Sequence, residues 1–303
     1  MNSESSCYFV SSRGILKSCE IHSIKPISSV CDLSNYRWDN LQFGSTVYIC
    51  TVALTIAIEE FTQILNKAPF PIILVTGDSD WDTPTNVFSK FTDFITFIEN
   101  PKIIHWFAQN AILPHPKLTQ IPIGLYYHTV PAVDSGWEES KVFPIEQEKV
   151  FKNILKDSQP LSKRLVKAHA DFHFQMGSRY GADRIRAKEL ISPDLVDYES
   201  QRVARETTWR NQSKYAFVIS PHGNGLDCHR TWEALCLGCI PIVKTSPLDS
   251  LYEELPVYIV QDWSDVTEEN LRRVLNDFSN RKFDLNRLTL KYWMDKINSK
   301  KIS

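Results

Sequence analysis

The chain has 303 residues, of which 43% are hydrophobic and 12% aromatic, so we predict two folded domains and exclude a largely disordered protein. Its net charge is −2 at pH 7, from 34 basic and 36 acidic residues, which gives no electrostatic basis for binding nucleic acid. The seven cysteines are odd in number and scattered, a pattern typical of reduced thiols.

The first residues lack a basic start followed by an apolar core, so we predict no secretory leader. The longest apolar run, residues 47–58, is too short to span a bilayer and is closed by Glu59 and Glu60. We therefore expect a cytoplasmic protein with no transmembrane segment.

The amino-terminal half alternates apolar strands with helical spacing. Residues 72–76 and 102–107 are apolar runs typical of buried strands, and residues 87–98 have the spacing of a helix. This alternation predicts a parallel sheet whose ligand site lies beyond the carboxyl ends of its strands. The turn 77–82 and the segment 105–110 are expected at those ends.

An acidic turn follows the first of these strands. It contains the sequence Asp78-Ser79-Asp80, whose carboxylate oxygens suit magnesium or manganese. Short acidic turns after strands are also common without any metal, so the metal site stays an alternative.

The chain divides into four segments by composition. We predict a first domain at 1–143, a linker at 144–162, a second domain at 163–280 and a carboxy-terminal helix at 281–303. An apolar stripe on the last helix predicts that it packs back on the first domain. Three arginines of the second domain are candidates to stabilise an anionic leaving group: Arg164, Arg179 and Arg184.

Residues 215–243 form the most informative segment, with the pattern of a strand, a glycine loop, a helix and a second strand. The loop His222-Gly223-Asn224-Gly225 supplies residues that tolerate positive φ, and its N–H groups are suited to hold one anion. Asp227 is predicted to cap the helix at its start.

Glu233 lies within that predicted helix. A glutamate offers two acceptor oxygens, which match the two hydroxyl donors of a ribose. The alternative is an ordinary strand–helix–strand unit in which Glu233 pairs with Arg230 at the surface.

The stretch SPHGNGLDCHRTWEALCLGCIPIV, residues 220–243, resembles the nucleotide-sugar-binding half of exostosin-type glycosyltransferases. These proteins carry an Arg, a Glu-Ala-Leu helix, a small residue and a Pro-Val-type strand at this position. The likeness continues through LDSLYEELPVYIVQDWSDVTEENL, residues 248–271.

The resemblance implies an α/β protein of the GT-B class, with two Rossmann-like parallel-sheet domains facing a cleft. It implies inverting transfer of a sugar without a metal or other cofactor, from a nucleotide-diphosphate donor, with UDP as the nucleotide. The acceptor is a glycan or another hydroxyl compound. By the family pattern Glu233 is the ribose ligand and Arg230 lies in the same segment, while His222, Gly223, Asn224 and Gly225 are expected around the donor.

In that mechanism one group of the first domain deprotonates the acceptor hydroxyl. The candidates are Asp78, Asp80, His105 and His128. Two alternatives stay open: a non-catalytic nucleotide- or glycan-binding protein, and a metal-dependent transferase that uses Asp78 and Asp80.

Overall fold

A computed structural model describes residues 3–23, 32–127, 142–172, 177–199 and 203–302. Within these ranges, no helix combines the length and apolar character needed to cross a bilayer. The six cysteines in the described ranges are all free thiols.

The first sheet is wholly parallel and has the strand order β1-β2-β3-β4. Three of its four strands are buried almost throughout, as expected for parallel strands with helices on both faces of the sheet. The strands are β1 (Ser45–Cys50), β2 (Ile72–Gly77), β3 (Ile103–Ala108) and β4 (Leu118–Gln120), and the helices are α1 (Ser12–Ser18), α2 (Thr51–Ile56), α3 (Ile58–Lys67) and α4 (Phe91–Ile98).

Both predicted strands are confirmed within a residue at each end. The predicted helix at 87–98 is shorter, because α4 begins only at Phe91. Its aromatic face packs on β3, where the Phe97 and Trp106 ring centroids are 5.5 Å apart. Trp106 in turn donates from Nε1 to Thr76 Oγ1 at 2.9 Å, which ties β3 to β2.

The second sheet is also wholly parallel, with the order β6-β5-β7-β8-β9. The chain order reverses between β5 and β7, which makes the carboxyl ends of these two strands the expected ligand site. The strands are β5 (Leu165–Ala170), β6 (Val196–Tyr198), β7 (Tyr215–Ile219), β8 (Ile240–Lys244) and β9 (Tyr258–Val260).

Helices accompany these strands and connect the two halves. They are α5 (Pro144–Asp157), α6 (Gly181–Leu190), α7 (Arg205–Gln212), α8 (His229–Cys236), α9 (Asp249–Tyr252), α10 (Glu268–Asn280) and α11 (Leu290–Asn298). The two parallel sheets give an α/β protein with two Rossmann-like units, as the sequence predicted.

The two units share one large apolar cluster. Helix α8 lies inside it, with six of its eight residues buried. Helix α5, in the predicted linker, contributes Phe151, whose ring is 5.7 Å from Phe9 and 4.9 Å from Trp209. These apolar contacts hold the two units together.

The carboxy-terminal residues lie against the beginning of the chain. Phe9 and Thr289 form an antiparallel bridge, and α11 packs against α1. Lys301 Nζ is 2.9 Å from Glu20 Oε1. The last helix therefore buries its apolar face, including Trp293 and Ile297, on the first unit.

Candidate active site

The carboxyl ends of the central strands in the two sheets lie against each other. In the loops after β2 and β7, Asn224 Nδ2 donates to Asp80 Oδ2 at 3.1 Å. After β3, Asn110 Oδ1 accepts from the Asp227 N–H at 2.9 Å. Asp80, Asn110, Asn224 and Asp227 thus form a polar seam that joins the two expected ligand-binding edges.

The glycines of the predicted phosphate loop permit close approach of neighbouring groups. A Cβ at Gly225 would lie 3.0 Å from both the Cα and the carbonyl oxygen of Asp80, and one at Gly223 would lie 2.8 Å from Arg184 Nη2. Neither glycine has the positive φ expected from the sequence. The Gly223 N–H donates to the Gly225 carbonyl at 3.0 Å, so this N–H is turned into the loop and not toward a ligand.

Helix α8 begins one residue later than predicted. Cys228 is its N-cap and His229 its first residue, so the prediction that Asp227 caps the helix is wrong. The Asp227 carboxylate instead accepts from one donor of the first unit and two of its own unit, and burial raises its pKa to about 6. The donors are Ile123 N at 2.7 Å, Trp232 Nε1 at 2.8 Å and Tyr252 OH at 3.0 Å.

Asp78 and Asp80 follow β2 directly, at the predicted edge. Asp78 is buried and has a φ of 52°, a conformation uncommon for a non-glycine residue. Its Oδ2 lies 3.2 Å from Arg13 Nε, and its N–H donates to Gln109 Oε1 at 3.1 Å. Asp80 is partly exposed and accepts from Asn224. In the described ranges, no three His, Cys, Asp or Glu side chains are grouped to hold a metal ion.

Asp82, in the same turn, was not a predicted site residue. Its Oδ2 accepts from Tyr180 OH at 3.0 Å and lies 2.7 Å from Arg179 Nη2. Arg179 Nη1 also donates to Asn86 at 2.8 Å. Arg179, a predicted leaving-group ligand, is therefore held by the first domain. The second oxygen of Asp82 is buried and accepts no hydrogen bond from the described part of the chain, and burial raises the pKa of this carboxyl group.

Arg230 and Arg184 lie beside the glycine loop at the switch point of the second sheet. Arg230 Nε pairs with Asp171 Oδ1 at 2.9 Å, and its guanidinium lies 5.7 Å from the Phe172 ring centroid. Among the described residues, its buried Nη1 has no hydrogen-bond partner. Burial, followed by the charge of Arg230, lowers the pKa of Arg184. The two guanidinium groups therefore lie close enough, in partly desolvated surroundings, for one charge to act on the other.

Glu233 is ion-paired, but not with Arg230. Its Oε1 lies 2.5 Å from Arg205 Nη2, and the two side chains are only 11% and 14% exposed. The Arg205 guanidinium also lies 5.1 Å from the Tyr126 ring centroid, and its Nη1 donates to Gln147 Oε1 at 3.3 Å. The alternative pairing of Glu233 with Arg230 is thus wrong, because Arg205 approaches from α7 and Asp171 takes Arg230.

His229 lies between these groups and the first domain. Its Nδ1–H donates to the Gly124 carbonyl at 2.7 Å, and its ring centroid is 4.5 Å from that of Tyr126. Burial lowers the pKa of His229 to about 3, with further lowering by Arg205 and Arg230. The imidazole is therefore neutral at physiological pH.

Two predicted site residues, Arg164 and His105, are not brought to this place. Arg164 donates to the carbonyl oxygens of Leu237 and Gln159 at 2.9 and 2.8 Å, so it holds the far end of α8. His105 lies within β3 and not at its carboxyl end, and its Nε2 is 2.8 Å from Thr119 Oγ1. Burial lowers its pKa to about 4. His128 lies outside the described residues.

Asp171 and Arg205 were missed by the sequence analysis. Asp171 directly follows β5, so the rule used for Asp78 and Asp80 would have found it once β5 was recognised as a switch-point strand. Arg205 begins α7, and no local motif marks it as a neighbour of Glu233.

In comparisons with known proteins, no family model matches this chain and no curated protein matches its sequence.

Proposed function

We propose that this protein is a glycosyltransferase of the GT-B class. It would move a sugar from a UDP-type donor to a hydroxyl acceptor by a single inverting displacement. The two parallel sheets facing each other across a polar seam support this proposal, as does the likeness of residues 220–243 to exostosin-type enzymes.

One observation is the main support for the proposed donor site. Among the described residues, Arg230 Nη1 is buried without an acceptor, although buried guanidinium groups normally find one. Arg230 lies on the first turn of α8, where Arg184 shares its partly desolvated surroundings. A diphosphate would supply an acceptor oxygen for this Nη1 and add negative charge beside the two guanidinium groups.

Glu233 fits the ribose of the same nucleotide. Arg205 pairs with its Oε1 and orients the carboxylate. Among the described residues, no hydrogen bond reaches Oε2. That oxygen is the acceptor for a ribose hydroxyl.

Asp80 is the better-placed base in this mechanism. It is partly exposed on the seam, whereas Asp78 is buried and paired with Arg13. Asp80 would take the proton of the acceptor hydroxyl as that oxygen bonds to the anomeric carbon. The bond from this carbon to the donor phosphate breaks, and the nucleoside diphosphate leaves with the electron pair toward Arg184 and Arg230.

A thermal-shift screen against UDP, GDP, ADP and CMP, each with and without EDTA, tests the donor site. A ligand that binds only the folded state raises the melting temperature, and we expect a rise with UDP that survives EDTA. Arg184→Gln should reduce that rise. Arg186→Gln is the matched control, because Arg186 is on the same helix, half exposed and paired with Asp262.

The other outcomes separate the alternatives. A shift that EDTA removes would favour the metal-dependent enzyme using Asp78 and Asp80. Binding of UDP without release of UDP from any UDP-sugar would favour a non-catalytic binding protein. An absence of shift with all four nucleotides would refute the donor site.

A further inference from the structure

A groove separate from the polar seam lies between β4, the loop after β8 and α11. Its volume is about 530 Å³, and its apolar lining includes Ile112, Leu113, Leu251 and Trp293. It shares no lining residue with the candidate active site. The groove is therefore a candidate binding site distinct from the candidate active site.

Two cations, Arg287 and Lys296, line the groove. Arg287 forms a long ion pair with Asp284, whose carboxylate lies 3.9 Å from Nε, and among the described residues the buried Nε has no hydrogen bond. Lys296 lies 5.2 Å from the Trp293 ring centroid, and no ion pair to it occurs in the described part of the chain. Burial lowers the pKa of Lys296, as do the charges of Arg287 and Lys300.

The other polar groups of the groove already have partners. His115 Nε2 lies 3.1 Å from Glu99 Oε1. Gln120 donates to the carbonyl oxygens of Ala111 and Pro247, each at 2.8 Å, and accepts from Ser250 at 2.9 Å. Among the described residues, Lys296 has no ion-pair partner, and Arg287 has only the 3.9 Å contact with Asp284.

Two partly desolvated cations in one place repel each other, and an anion between them removes that cost. The apolar surface beside them buries hydrocarbon favourably. We propose that this groove binds a small amphiphilic anion, in which one carboxylate, phosphate or sulfate group is carried on an apolar body.

Isothermal titration calorimetry with three probes tests this proposal on the full chain. The probes are hexyl phosphate, inorganic phosphate and 1-hexanol, which separate the acidic head from the apolar body. We expect hexyl phosphate to bind at least about tenfold more tightly than either of the other two, because only it uses both features.

Two variants locate the site. Lys296→Met keeps the packing on Trp293 and removes the charge, so it should weaken hexyl phosphate binding at least about tenfold. Lys291→Met is the matched control on the same helix, since that side chain is 83% exposed and paired with Asp295. Ser250→Glu adds a carboxylate at the exposed rim and should weaken binding while both cations remain. Melting temperatures verify that each variant is folded.

Several results would overturn the proposal. They are no binding of hexyl phosphate, equal binding by Lys296→Met and the wild type, or equally tight binding of 1-hexanol or of inorganic phosphate. Loss of UDP affinity in Lys296→Met would also refute it, by showing that the groove is part of the donor site. Failure of UDP to bind at all would affect only the proposed function, because the groove is independent of it.

Discussion

Replacing Glu233 by Gln tests the ribose contact most directly. Gln keeps the size and one acceptor oxygen but loses the charge and the second acceptor. A hydrogen bond to a charged group contributes about 1.5–3 kcal/mol. Because Arg205 already occupies Oε1, we assign one such bond, through Oε2, to the ribose. UDP should therefore bind about 10- to 150-fold more weakly to the variant.

The assay is calorimetry with UDP and with 2′,3′-dideoxy-UDP on both proteins. Removing the hydroxyls should weaken binding to the wild type by the same factor. It should weaken binding to Glu233→Gln little further. Glu206→Gln is the control, because Glu206 is half exposed and pairs only with Arg210 one turn away on α7.

Two results would refute this reasoning. If Glu233→Gln binds UDP as tightly as the wild type, Glu233 is not the ribose ligand. If the variant weakens UDP and its dideoxy analogue by the same factor, the effect comes from Arg205 losing its partner. In the second case a fall in the melting temperature without ligand should accompany the loss, since breaking a buried ion pair is destabilising.

Three further predictions concern stability. Gly225→Ala places a Cβ 3.0 Å from the Asp80 backbone, so it should lower the free energy of unfolding in urea by about 1–3 kcal/mol. Gly177→Ala is the control, because a Cβ there has open space around it and should not destabilise the protein. Arg164→Met should lower the unfolding free energy by about 1.5–3 kcal/mol and leave UDP affinity unchanged, because Arg164 binds the far end of α8; weaker UDP binding in this variant would contradict its placement. The folded-state pKa of His229 is lowered to about 3, so its stabilising contribution is present above the unfolded pKa of about 6.5 and is lost as pH falls toward 3. The stability difference between the wild type and His229→Gln should therefore shrink as pH falls from 7 to 4, and a difference independent of pH would refute this.

The sequence by itself determined the α/β class and the positions of β2 and β3. Residues 72–76 and 102–107 are apolar runs that only a sheet covered on both faces can bury, and the structure has them as β2 and β3. The same periodicity placed Asp78 and Asp80 beyond β2, because the ends of such runs can be read from local sequence. The local sequence predicted the wrong N-cap for α8, which is Cys228 and not Asp227.

The tertiary structure decided which side chains meet. The local sequence predicted Asp227 as a helix cap and Arg164 and Arg179 as leaving-group ligands. In the structure, the first domain contacts Asp227 and Arg179, and a carbonyl at the end of α8 accepts a hydrogen bond from Arg164. The partner of Glu233 comes from α7 and that of Arg230 from the end of β5. Such pairs join residues from 28 to 144 positions apart. Folding of the second unit brings the partners of Glu233 and Arg230 to them, and contact between the two units brings Asn224 to Asp80. Local sequence does not show such pairs, because hydrogen bonds and ion pairs act over a few ångströms of space and not along the chain.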